Sequence, residues 1–283
     1  MGMGQRGSPF GPCYDVFGKE VGMIYAISDV HGCVDALEEA LSFVDLTDGQ
    51  SRLIVCGDLC DRGPASLQVF HRIMGLQREY PGQVAVLRGN HEEMLLEYVA
   101  MVGDPCFTRA WMLSDSNLAT AKSFLSSEFD QVKRLLARRK FEEAYRFVVG
   151  CMKSEHADVL AWIKALPYYF ETPKQIFVHA GVEEDARDLW RIGTPVEFFT
   201  AMPPDYVGKK FDLDVIAGHI DTETVSGIPW LSGRVVRRCF PLLVLMGALC
   251  EPDAFPCWHT MKKPIRTAKS VHEAVDSLRP SDA

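Results

Sequence analysis

Long apolar runs are missing from this sequence. Its most apolar stretch, residues 240–250, falls far short of the roughly 20 residues that a membrane-spanning helix needs. A disulfide framework is missing too. The nine cysteines are odd in number and scattered, with no C-x-x-C pair, and fit a reducing compartment, the cytoplasm, better than a disulfide-stapled fold. Nor is there an excess of positive charge. With 30 Lys and Arg against 38 Asp and Glu, the formal net charge of -8 gives no global pull toward nucleic acid or an anionic membrane. An anionic substrate must be attracted by a local site. Residues 1–22 hold no apolar core of the kind a signal peptide carries, and Arg6 stands where a myristoylation signal has Ser or Thr. They read as a flexible extension. No internal repeat or low-complexity tract is evident in the rest.

What is present is an ordinary globular balance, 47% hydrophobic and 24% charged, at a length that fits one domain over residues 23–283. Short apolar runs at residues 23–27, 53–56 and 84–87 alternate with helical patterns at 34–44 and 65–78. That βαβαβ progression predicts parallel strands covered by helices. Residues 175–178 and 214–217 add two more strands. Between them and the first unit, residues 92–166 read as a mostly helical insert or cap. Residues 240–250 read as a buried strand, and the segment from about 227 onward otherwise carries no clear pattern.

Each predicted strand in the first part of the chain is followed at once by residues that bind metal or phosphate. The strand ends carry Ser28-Asp29-Val30-His31-Gly32, then Gly57-Asp58-Leu59-Cys60-Asp61-Arg62-Gly63, then Gly89-Asn90-His91-Glu92, and later His179-Ala180-Gly181 and Gly218-His219. In open α/β sheets that edge is where sites form. Carboxylate, imidazole and amide oxygen together suit Mn, Fe or Zn, whereas Mg or Ca would draw almost wholly on oxygen. A carboxylate such as Asp58 is able to bridge two metals about 4 Å apart, and such a pair activates water and stabilises both oxygens of an in-line displacement. Hydrolysis of a phosphate ester or anhydride is the expected chemistry.

Taken in order, these five motifs resemble the metallophosphoesterase superfamily, and more narrowly the bacterial members of the phosphoprotein phosphatase family. The resemblance runs from about Met23 to His219. It implies a β-sandwich flanked by helices. It also implies that Asp29, His31 and Asp58 bind one metal and that Asp58, Asn90, His179 and His219 bind the other, manganese foremost. His91 would be the general acid with Asp61 orienting it. Arg62 and Arg191 would bind the substrate phosphate, with Asn90 beside them. Two departures are visible: Ser28 replaces the usual glycine before Asp29, and Ile220-Asp221 follows His219 where Thr-Pro is common. A closing strand with an Asp-Gly signature is not found after residue 227.

Taken singly, the motifs have plainer readings. Asp29 and His31 would be a turn and a satisfied histidine, Asp61 and Arg62 a surface ion pair, Asn90 a helix cap, and Gly218-His219 a turn. Arg88 and Glu92 read as structural. Spacing and order favour the site. The family's members imply a serine/threonine protein phosphatase acting on phosphoproteins, or a diadenosine tetraphosphate hydrolase acting on a small phosphorylated substrate. A non-enzymatic binding module of the same fold is disfavoured by the complete ligand set. A basic cluster in the insert, Lys133, Arg134, Arg138, Arg139 and Lys140, reads first as a solvated helix side and second as a substrate reader.

Overall fold

The computed structural model describes residues 13–14, 20–100, 103–202, 211, 213–220 and 242–246. Two short strands open it, β1 (Cys13–Tyr14) and β2 (Glu20–Val21), which pair antiparallel inside the stretch read as a flexible extension. Residues 1–12 and 15–19 of that stretch lie outside the described residues. The βαβαβ unit follows as β3 (Ile24–Ser28), α1 (Val34–Leu41), β4 (Arg52–Val55), α2 (Ser66–Glu79) and β5 (Val84–Val86). The insert is a run of helices, α3 (Asn90–Ala100), α4 (Pro105–Met112), α5 (Asp115–Leu125), α6 (Phe129–Ala137), α7 (Phe141–Glu155) and α8 (Ala157–Ala165). After it come β6 (Tyr169–Glu171), β7 (Gln175–Val178), α9 (Trp190–Gly193), α10 (Val196–Thr200), β8 (Asp214–Ile216) and β9 (Leu242–Met246).

Strands β5, β4, β3 and β9 lie in that order in one sheet, and all pair in parallel. Strands β6, β7 and β8 form a second sheet, in which β7 pairs antiparallel with β6 and parallel with β8. The strand expected over residues 240–250 is present as β9 beside β3, with Ile24 opposite Leu242. The remainder of the segment from 227 lies outside the described residues. Strand β6 was not anticipated, because three residues are too few to show a period of two.

Alternation along the strands explains the layering, since successive side chains point to opposite faces. Tyr25 and Ile27 of β3, Leu53 and Val55 of β4, and Val84 and Val86 of β5 face the helical side, where they join Leu37 of α1 and Val69, Phe70 and Ile73 of α2. Their neighbours Ala26, Ile54, Cys56 and Leu87 face the other way and meet Phe177 of β7 and Ile216 of β8. Ile176 and Val178 of β7 turn outward again, toward Trp190 and Phe199. Two sheets packed face to face with helices outside are thus the β-sandwich that the family resemblance implies.

The insert does not form a separate cap. Trp111, Phe124, Tyr145 and Val148 share one apolar cluster with the helical face of the first sheet. Arg88, at the end of β5, ties the exit of the insert to the sheet by bonding Glu93 at 2.8 Å, the Tyr168 hydroxyl at 3.1 Å and the Lys164 and Leu166 carbonyls. The basic cluster is exposed, and Lys133, Arg134 and Lys140 pair locally with Asp130, Gln131 and Glu143. That is the behaviour of a solvated helix side. Among the described residues, Cys56, Cys60, Cys106 and Cys151 are free thiols and Cys33 is disulfide-bonded.

Phe177 fills the centre of the inter-sheet core with no exposed surface. Phe177→Ala is expected to lower the unfolding free energy by about 3–5 kcal/mol. Urea denaturation followed by circular dichroism checks this, and an unchanged midpoint would show that the two sheets do not depend on this contact.

Candidate metal centre

Backbone strain gathers at the C-terminal edge of the strands. Among the described residues, Asp29, His31, Asp58, Asp61, Arg62 and His219 all have φ between 46° and 68°. Left-handed conformations of this kind cost of order 1–3 kcal/mol per residue and persist only where the surroundings hold them. Here the loops hold one another. Asp29 N–H donates to the Gly57 carbonyl at 3.2 Å, His31 N–H to Asp58 at 2.9 Å, Gly32 N–H to Leu59 at 2.8 Å, and Gly63 N–H back to His31 at 2.8 Å. At Gly89 a Cβ would lie 2.6 Å from the Asp58 nitrogen, so only glycine lets the loops after β4 and β5 meet.

Glu92 fastens those two loops. Its carboxylate, with no exposed surface, accepts N–H groups from Asp58 at 2.8 Å, Leu59 at 2.7 Å and Gly89 at 2.9 Å. As the third residue of α3 reaching back to Gly89, it makes the contact of a capping-box glutamate and extends it to a neighbouring loop. Burial raises its pKa, and the nearby charge of Asp58 adds to that, while the three N–H groups favour the ionised form.

The histidines are aimed by backbone carbonyls. Nδ1 of His31 lies 2.9 Å from the Cys60 carbonyl and Nδ1 of His179 lies 2.7 Å from that of Cys56. A proton on each Nδ1 leaves the Nε2 lone pair pointing inward. The two Nε2 atoms lie 3.6 Å and 3.3 Å from Asp58 Oδ2. Asp29 is oriented likewise. Its Oδ2 accepts from the Ser28 hydroxyl at 2.5 Å and from His219 N–H at 3.0 Å, and its Oδ1 stands 4.0 Å from His31 Nε2. His219 Nδ1 and Asn90 Oδ1 complete the ring, 3.2 Å and 3.0 Å from His179 Nε2.

Two features of this ring are suited to a cation. Among the described residues, His31 Nε2 is buried and has no hydrogen-bond partner. The Asn90 amide lies against the ring nitrogens of His179 and His219, both Asp58 oxygens and the Thr200 carbonyl, which its NH2 satisfies when turned toward them and which a cation would leave to its oxygen. A shared positive ion would satisfy these lone pairs together. The candidate ligand groups are His31, Asp58 and His91 on one side and Asp58, His179 and His219 on the other, with Asp58 common to both. The residues present fit two metal ions. The electrostatics agree with this. Burial works against charge on His179, yet Asp58 outweighs it and pushes the imidazole up to about 9. Burial likewise opposes ionisation of Asp58, but His179, His91 and His31 hold its carboxyl well below the usual range. A metal would take the place of the shared proton.

Beside this ring sits a histidine of another kind. His91 Nδ1 is 2.8 Å from Asp61 Oδ2, and its backbone N–H donates to Asp58 Oδ1 at 3.1 Å. Burial lowers its pKa, but the bond to Asp61 and the charge of Asp58 outweigh burial and raise it. Arg62 is exposed at the rim. Arg191 makes its described contacts elsewhere, pairing with Glu171 at 2.7 Å and lying 4.7 Å over the Trp190 ring. The structure therefore brings nine of the ten sequence-derived site residues to one edge, and places Arg191 in an ion pair.

Three contributors were not read from the sequence. Ser28 holds Asp29, Thr120 bonds Asp61 and Ser116 bonds Arg62. For the last two, the signal was the hydroxyl spacing along α5, which an internal helix of an insert gives no reason to notice.

Fold and donor set define the class, a metallophosphoesterase. The chain belongs to the calcineurin-like phosphoesterases, whose family profile matches residues 22–242. A symmetrical bis(5'-nucleosyl)-tetraphosphatase from an Enterobacter species is 43% identical over 76 residues, covering 27% of this chain and 26% of that protein. The serine/threonine-protein phosphatase 6 catalytic subunit of Drosophila melanogaster is 37% identical over 84 residues, covering 29% and 26%. The chain spans about a quarter of the length of the first such relatives. Among solved structures, a metallophosphoesterase from Sphaerobacter thermophilus is 20% identical with a TM-score of 0.32, over 56% of this chain and 46% of that one. Among the described residues, no helix is long and apolar enough to cross a membrane.

Glu92→Gln keeps the shape of the buried clamp but turns an amide NH2 toward backbone N–H donors. Leaving such groups unpaired costs about 1–3 kcal/mol. The variant is expected to lose that much stability and to bind metal more weakly, as read by thermal unfolding with and without Mn and by elemental analysis. Wild-type stability and metal content would show that the clamp does not hold the loops.

Proposed function

We propose that the protein is a two-metal phosphomonoesterase acting on phosphoserine or phosphothreonine in proteins, with manganese as the preferred ion and iron or zinc as alternatives. The observation that carries this reading is the 2.8 Å contact between His91 and Asp61 at the edge of the ligand ring. A serine or threonine alkoxide is a poor leaving group, and its departure gains most from a placed proton donor. In this reading Asp29, His31 and Asp58 hold one ion, and Asp58, Asn90, His179 and His219 hold the other. Bound metals supply an activated water and stabilise charge on the attacking and leaving oxygens. His91 gives its Nε2 proton to the departing oxygen, and Asp61 stabilises the imidazolium before the transfer. Arg62 grips phosphate oxygens from the rim, Asn90 lies beside them, and Arg191 exchanges Glu171 for a second phosphate contact. With Asp29 and Asp58 the only carboxylates in the set, divalent ions leave an excess of positive charge that attracts phosphate to an otherwise acidic chain.

A second reading, hydrolysis of dinucleoside tetraphosphates, is favoured by the recurrence of symmetrical bis(5'-nucleosyl)-tetraphosphatases among the relatives. There the leaving group is itself a phosphate, and the acid matters less. A panel of a phosphoserine peptide against diadenosine tetraphosphate, each with Mn, separates the two. Faster turnover of the peptide is expected, and the reverse order would replace the first reading with the second.

His91→Asn is expected to lower kcat by about 10²- to 10⁴-fold with metal content intact, and more on an alkyl phosphate than on nitrophenyl phosphate. Wild-type kcat in the purified variant would end the general-acid assignment. Exhaustive chelation should abolish activity, with Mn restoring it better than Ca. Full activity in protein shown by elemental analysis to be metal-free would refute the two-metal reading.

A further inference from the structure

We infer that Thr120, in the helical insert, is a positioning residue for the Asp61–His91 pair, and that α5 sets the geometry of the loop carrying Asp61 and Arg62. The inference rests on the reading of His91 as the general acid. Thr120 has no exposed surface and binds Asp61 twice. Its Oγ1 accepts the Asp61 N–H at 2.9 Å and donates to Asp61 Oδ1 at 2.6 Å. Both the left-handed backbone of Asp61 and the rotation of its carboxylate are thereby held, and Oδ2 is left facing His91 Nδ1.

A hydroxyl has one hydrogen and two lone pairs. The hydrogen goes to Asp61 Oδ1, so the 3.2 Å contact with Ser66 Oγ is one in which Ser66 donates. The Thr120 oxygen is then fully used, and its three bonds all serve the loop and the start of α2. The two flanking hydroxyls of α5 do the same for neighbouring residues. Ser116 Oγ accepts the Arg62 N–H at 3.1 Å, and Ser123 Oγ accepts the Leu67 N–H at 2.9 Å while donating to Gln68 at 2.9 Å. Spacings of four and three residues put Ser116, Thr120 and Ser123 on one helical face. Asp61 and Arg62 are consecutive positive-φ residues, and their N–H groups find these acceptors on the insert. The apolar packing of α5 is carried separately by Ala121, Phe124 and Leu125. A helix outside the strand-end motifs therefore orients the carboxylate that orients the acid.

The test compares Thr120→Val, which keeps the shape and removes the hydroxyl, with Thr120→Ser, which keeps the hydroxyl, in Mn-loaded full-length protein. Thr120→Val should lower kcat by about 10- to 100-fold on an alkyl phosphate and by less than about 3-fold on nitrophenyl phosphate, with metal content unchanged. Thr120→Ser should stay near wild type on both. Amide hydrogen exchange gives a reading without catalysis, since protection at Asp61 and Arg62 should fall in Thr120→Val and hold in Thr120→Ser. Equal losses on the two substrates, or a serine variant as impaired as the valine one, would overturn the inference. Should Thr120→Val not fold, Ser116→Ala at a half-buried position decides the role of α5. It should raise KM about 2- to 5-fold on both substrates, leave kcat unchanged, and lose Arg62 amide protection, whereas unchanged KM and protection would overturn the inference. If His91→Asn shows no leaving-group dependence, the general-acid reading has failed instead, and amide exchange still decides whether α5 positions the loop.

Discussion

The site depends on one buried carboxylate that the chemistry does not use. Glu92 gathers three backbone N–H groups from two loops, and it does so with its charge removed from water. A buried carboxylate is costly unless its oxygens are satisfied, and here satisfying them requires the loop after β4 and the start of α3 to be where they are. Asp58 is thereby held against the N-terminus of α3, where His91 N–H and the helix dipole meet its oxygens. Everything that follows at the edge is placed relative to Asp58.

From that carboxylate the arrangement builds outward by making donors point away and acceptors point inward. Carbonyls of Cys56 and Cys60 take up the Nδ1 sides of His179 and His31, and Ser28 and His219 take up one oxygen of Asp29. What remains on the inner side is a group of lone pairs with no protons to share among them except by raising the pKa of His179. The departure from the usual glycine at position 28 fits this pattern, because the Ser28 hydroxyl becomes a further contact that fixes Asp29. Two cations would relieve the crowding of acceptors, and the same cations would create the positive field that the overall composition lacks.

The helical insert is part of the same construction. Its apolar side continues the core of the first sheet, and the hydroxyl face of α5 meets the loop that carries Asp61 and Arg62. Arg88 closes the other end of the insert against the strand that leads to Asn90. A segment that interrupts the strand order thus supports the backbone conformations that the strands alone would not hold.

The strand pattern, the parallel βαβαβ unit and the candidate ligands were readable from the sequence alone, because period-two apolar runs and the polar residues directly after them are local features. The existence of a helical insert was readable for the same reason, from its length and its period. Which residues sit behind the ligands was decided only by the tertiary structure. Glu92 joins positions more than thirty residues apart, and Thr120 reaches Asp61 across fifty-nine, so no local spacing announces either contact. The opposition of Phe177 and Ile54 across two sheets, the pairing of β9 with β3, and the engagement of Arg191 by Glu171 are likewise contacts between distant segments. They follow from packing, in which the chain's separate apolar faces are buried against one another, and that outcome is not written in any one stretch of residues.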